Sequence, residues 1–200
     1  MPTAARKAEV ARLKKKAEDR LFPRRIAVLD TTLRDGAQTP GVYWPMMTKL
    51  QMAKKIDKLG VDVIEAGSPF AFEEDIRLIQ NLKRLRSIHA KICALARPRT
   101  ADIDKVVESK ADRVNIFVPC SRIQADAMDL HFIKTACDTL HAVKYAREKG
   151  LEVEITMMDA ARANRKFLTR FAELLEKNGA HILTLSDTVG SLRPEETFKM

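Results

Sequence analysis

Cysteine is sparse in this chain of 200 residues, and the three present, Cys93, Cys120 and Cys137, form no CxxC or other paired spacing. A disulfide framework and a cysteine-built zinc site are thereby excluded. Cys93 falls in an apolar strand and Cys137 in a helical segment, so both are expected as small buried hydrophobes, whereas Cys120 follows a strand and stays open. Histidine is equally thin. His89, His131, His141 and His181 include no HxH or HExxH, and core or surface roles are expected for all four. No uncharged apolar stretch reaches the roughly 18 residues that a membrane-spanning helix needs. No apolar signal region precedes a small-residue cleavage site, so a cytoplasmic setting is expected. Nor does GxGxxG follow the first strand, which removes the dinucleotide fingerprint.

Acidic residues are outnumbered, 27 Asp and Glu against 36 Lys and Arg, for a formal net charge of +9. The excess is local: residues 1–25 carry nine basic and three acidic side chains, which leaves +3 for the rest. Within this leader Val10, Leu13, Ala17 and Leu21 recur at helical spacing. A basic amphipathic helix is expected there, packing its stripe on the domain or on a second subunit. No aromatic residues interleave the charges, so nucleic-acid or membrane contact is disfavoured. Glu9, Glu18 and Asp19 argue against a mitochondrial presequence.

Residues 26–200 alternate strand and helix. Apolar, β-favouring runs at 26–29, 61–66, 90–96, 113–118, 151–157 and 181–186 are separated by helix-period segments. In the first of these segments Met46, Leu50, Ala53, Ile56 and Leu59 share one face, Pro45 suits the first turn and Gly60 the stop. Near-continuous apolar strands joined by helical crossovers mean a parallel sheet covered by helices. The strand spacing, about 31 residues per unit, favours a TIM (β/α)8 barrel over an open doubly wound sheet. Six units are expected here, as one α/β domain over 26–200 with an apolar interior.

The loop after the first strand reads Leu29-Asp30-Thr31-Thr32-Leu33-Arg34-Asp35-Gly36-Ala37-Gln38-Thr39-Pro40-Gly41. Asp35-Gly36 and Pro40-Gly41 punctuate it, so Arg34 and Asp35 should lie just past a strand's carboxyl end, the rim where barrels bind ligands. An arginine there can donate to an oxygen that gains negative charge, and an aspartate can hold a hard divalent cation.

That loop, the second strand's Gly60-Val61-Asp62-Val63-Ile64-Glu65-Ala66-Gly67 and the sixth strand's Leu185-Ser186-Asp187-Thr188-Val189-Gly190 together resemble the DRE-TIM metallolyase superfamily. The likeness is greatest to its 2-isopropylmalate and homocitrate synthase branch. It implies a metal-dependent Claisen-type condensation, in which the enolate of acetyl-CoA attacks the ketone of a 2-oxo acid and the thioester then hydrolyses. By the resemblance Asp35 is a ligand of the divalent metal (Mg, Mn or Zn), Arg34 the catalytic arginine and Glu65 a carboxylate supporting it. Gln38 matches a position near the metal, Thr188 a hydroxyl that contacts the substrate carboxylate, and Arg97 a place where a basic residue meets an anionic group. Paired barrels, a homodimer, are implied as well. The chain departs from the pattern at Asn115 and Gln124, where histidines are usual, and at Met158, where an acid precedes Asp159. The family's His-x-His on the seventh strand has no counterpart, and a chain truncated at its C-terminal end is expected. Lyase-type cleavage, carboxyl transfer and a non-catalytic interaction module are the alternatives. A satisfied rim carboxylate at Glu65 and a turn cap at Asp187 and Thr188 are the plainer readings of those residues.

Overall fold

A computed structural model describes residues 26–199; the basic leader expected over residues 1–25 lies outside them. Six parallel strands run in sequence order: β1 (Leu29–Asp30), β2 (Val63–Glu65), β3 (Lys91–Ala96), β4 (Arg113–Pro119), β5 (Glu152–Met158) and β6 (Ile182–Leu185). Among the described residues β1 and β6 are not paired with each other, so the sheet is a curled, open TIM-barrel-like array of six βα units. The helices are α1 (Met46–Lys58), α2 (Glu73–Arg84), α3 (Thr100–Ser109), α4 (Arg122–Ala127), α5 (Phe132–Glu148), α6 (Arg165–Lys177) and α7 (Pro194–Lys199). No helix of the described residues is long and apolar enough to cross a membrane.

The helix ends follow their sequence signals. Gly60 takes φ +80° just beyond α1, a left-handed turn that costs glycine little. His131 Nδ1 accepts the Lys134 amide at the start of α5, and Asn164 Oδ1 accepts the Phe167 amide at the start of α6. The long segment before Gly150 is split: Ser121 caps the short α4, which α5 follows after a turn. β1 begins later than expected. Backbone pairing opens there with Val28, whose carbonyl accepts the Asp62 and Val63 amides.

Alternation along the strands sorts two faces. Val114, Ile116 and Val118 of β4 and Val153, Ile155 and Met157 of β5 pack in one core with Ala142, Val143 and Ala146 of α5. Each large aliphatic side chain buried this way contributes about 1.5–3 kcal/mol. The opposite, barrel-facing positions overturn the expected apolar interior. Arg113, Asn115, Glu154 and Thr156 occupy them, and their polar groups bond one another across the strands. Arg113 donates to Glu152 at 3.1 Å and to Glu154 at 3.0 Å, and Thr184 of β6 donates to Glu154 at 2.7 Å. Burial without these partners would be prohibitive. Cys93 is buried as expected, but Cys137 is exposed, because it lies on the solvent side of α5.

Candidate active site

Arg34 stands on a tight turn just past β1. The Thr31 carbonyl accepts the amides of Arg34 (3.1 Å) and Asp35 (2.7 Å), Asp30 caps Thr32, and Leu33 anchors the loop in the core. Nε of Arg34 donates to Glu65 Oε2 at 2.5 Å, and Nη1 to Asp35 Oδ1 at 2.8 Å. Glu65, at the end of β2, is completely buried. Its second oxygen accepts Asn115 Nδ2 at 2.9 Å, and Asn115 Oδ1 in turn accepts the Thr156 hydroxyl at 2.8 Å. A carboxylate offers only acceptors here, so the amide of Asn115 has one workable orientation.

Arg34 lines a cavity of about 400 Å³ together with Gln38, Tyr43, Trp44, Lys49 and Asp75. Among the described residues nothing bonds to Nη2, which leaves donors for an anionic oxygen. Lys49 lies 3.4 Å from Asp75, and Asp75 also accepts the Ser68 amide at 2.8 Å. The turn thus brings Arg34, Asp35 and Gln38 together, with Glu65 beneath them.

Arg97 and Thr188 make their contacts with other residues. Arg97 makes a two-point pair with Asp102 at 2.6 and 3.0 Å and lies 4.6 Å over the Phe70 ring; the Asp102 bond pushes its pKa up. It borders a separate cavity of about 700 Å³, with Phe117, His131, Lys134 and His141. Thr188 Oγ1 accepts the Asp159 amide at 2.9 Å. Asp187 caps the following turn by accepting the Ser191 and Leu192 amides, as the plainer reading of that residue has it.

Residues that sequence reasoning passed over form the rest of the rim. Asp159 follows Met158 at the end of β5 with φ 54°, fully buried, and accepts hydrogen bonds from Ser121 Oγ and Arg162 Nε. Burial drives its carboxyl pKa up, but the Arg162 and Ser121 bonds outweigh that and hold it below the usual value. Burial pushes the Cys120 thiol up to about 12, with the Asp159 charge adding to it. The period-2 run Arg113-x-Asn115 and Glu152-x-Glu154-x-Thr156 was the legible signal for the barrel-facing polar set.

A divalent ion needs several oxygen or nitrogen donors at one point. Among the described residues no group of three or more His, Cys, Asp or Glu could hold one. Asp35 is already engaged by Arg34. The described residues alone therefore do not fit the metal that the resemblance implies.

The HMGL-like family matches residues 25–200. A probable 2-isopropylmalate synthase of Archaeoglobus fulgidus is 38% identical over 180 residues, covering 88% of this chain and 35% of that protein. An (R)-citramalate synthase of Methanocaldococcus jannaschii is 41% identical over 182 residues, covering 88% of this chain and 36% of that protein. The chain thus spans about a third of the length of these curated relatives. In fold it is similar to the HMG-CoA lyase of Bacillus subtilis, with a TM-score of 0.77 at 17% identity over 88% of this chain and 62% of that one. The match over nearly all of 26–200, the synthase relatives and the shared barrel topology agree: the chain belongs to the HMGL-like, or DRE-TIM, family.

Proposed function

We propose that this chain carries the strand-end machinery of an acyltransferase that condenses acetyl-CoA with a 2-oxo acid. The observation that carries the reading is the Arg34 guanidinium, held by Glu65 and Asp35, on a residue that lines a cavity together with Gln38. The relatives named for 2-isopropylmalate and citramalate synthesis support the reaction class. In this mechanism Arg34 donates to the oxygen on which negative charge builds, and Glu65 and Asp35 fix the donor before charge develops. A preorganised donor of this kind lowers a barrier by roughly 3–4 kcal/mol. Gln38 contacts the oxo acid from the same turn. Thr188 contacts the substrate carboxylate, and Arg97, paired with Asp102, meets an anionic group of the substrates. No step is assigned to a metal, because the described residues do not complete its donor set.

A second reading, cleavage of a hydroxyacyl thioester, is favoured by Met158. Its thioether cannot take a proton from an acetyl methyl group at neutral pH.

The experiment is thiol release from acetyl-CoA by the intact protein, with a panel of 2-oxo acids and with Mg, Mn or Zn supplied. The condensing reading requires release that depends on the oxo acid and the ion and is lost in Arg34→Ala. Release of acetyl-CoA from hydroxyacyl thioesters, without condensation, would establish the lyase reading instead. A well-folded protein with neither reaction would leave an interaction module.

A further inference from the structure

We infer that Asn115 and Thr156 are positioning residues for Arg34, acting through Glu65 as a relay that ties the loop after β1 to the well-paired strands β4 and β5. The inference rests on the reading of Arg34 as the charge-stabilising donor.

The need for such a device lies in the sheet itself. β1 has two residues and among the described residues pairs with β2 alone, whereas β4 and β5 are in register over seven consecutive residue pairs. Side-chain bonds then run from the well-ordered pair outward: Thr156 of β5 donates to Asn115 of β4, Asn115 to Glu65 of β2, and Arg34 donates to the far oxygen of the same carboxylate.

Each link constrains the next. Thr156 is β-branched on a strand, so its hydroxyl has few orientations. It donates to the Asn115 oxygen, and reversal of the amide would set that oxygen against a Glu65 oxygen. Asn115 is nearly buried and Glu65 wholly so, which leaves no water-facing alternative. Glu65, gripped at Oε1, can present Oε2 in one place only, and Arg34 Nε meets it there. Asn115 therefore serves an ordering role with a neutral amide at a position where the resemblance leads one to expect an imidazole.

The test is hydrogen exchange at Arg34 Nε–H in the ¹⁵N-labelled intact protein, the resonance being identified by its loss in Arg34→Lys. Thr156→Val and Asn115→Leu should speed exchange by about five- to tenfold, the effect of losing one buried hydrogen bond. Thr156→Ser, which keeps the hydroxyl, should restore the slow rate. Thr184→Val is the control, because its hydroxyl serves Glu154 in the deeper layer. If Asn115→Leu does not fold, the Thr156 pair decides. Rates within about twofold of the parent in Thr156→Val, or equal acceleration in Thr184→Val, would overturn the relay. Exchange is read without turnover. A failed relay therefore appears as unchanged exchange, and a failed condensing function as absent thiol release with the exchange pattern intact.

Discussion

Arg34 and Glu65 are 31 positions apart in the chain, yet Nε of one lies 2.5 Å from Oε2 of the other, with Glu65 completely buried. Glu65→Leu removes the shared acceptor and strands both Arg34 and the Asn115 amide. It should cost about 3 kcal/mol in urea denaturation. Adding Arg34→Met should cost less than the two single losses combined, with a coupling of about 1–3 kcal/mol in a double-mutant cycle.

Gly67 is close to Asp75 for a different reason: a Cβ at Gly67 would lie 2.5 Å from the Asp75 carboxyl carbon. Gly67→Ala must push Asp75 off the Ser68 amide and away from Lys49. A loss of about 2–3 kcal/mol in the urea midpoint is expected, with the cavity beside Arg34 reshaped. Asp75→Gly in the same background, which removes the Asp75 Cβ as well, should reduce the penalty of the alanine.

Arg113 faces two carboxylates, Glu152 and Glu154. Burial raises the Glu152 carboxyl pKa, but the bonds from Lys91 and Arg113 outweigh it and hold the value down. A depressed carboxylate contributes stability above its unfolded value and loses it as pH falls through the folded one. Arg113→Leu removes a counter-charge and leaves the burial, so it should cost about 3–5 kcal/mol near pH 7. The deficit against the parent should shrink toward about pH 5, because Glu152, left with Lys91 alone, takes up its proton at a higher pH than in the parent. Urea titrations at the two pH values test this.

Cys137 is exposed, whereas Cys93 and Cys120 are buried with thiol pKa values raised by burial. A disulfide reagent at neutral pH should modify Cys137 alone in the native protein. The other two should react only in denaturant, and Cys137→Ser should abolish the fast phase.

The turn residues Arg34, Asp35 and Gln38 were legible because glycine and proline punctuate the loop and a strand precedes it. That placed them at a strand's carboxyl end before any contact was known. The paired partners were not legible. Asn115 and Thr156 look like polar interruptions of apolar strands, and only the alternation with Val114, Ile116 and Ile155 hints at a second face. Nor was the partner of Arg97 legible: it pairs with Asp102, five residues on in α3.

Sequence by itself determined the alternation of strands and helices, the parallel order and the loop that carries Arg34, because hydrophobic period and turn chemistry are local properties. Tertiary structure decided what the inner face of the sheet is made of and which residues touch. Hydrogen bonds such as Asn115 to Glu65 join side chains 50 positions apart. Their existence depends on sheet curvature and strand register, which no local pattern encodes.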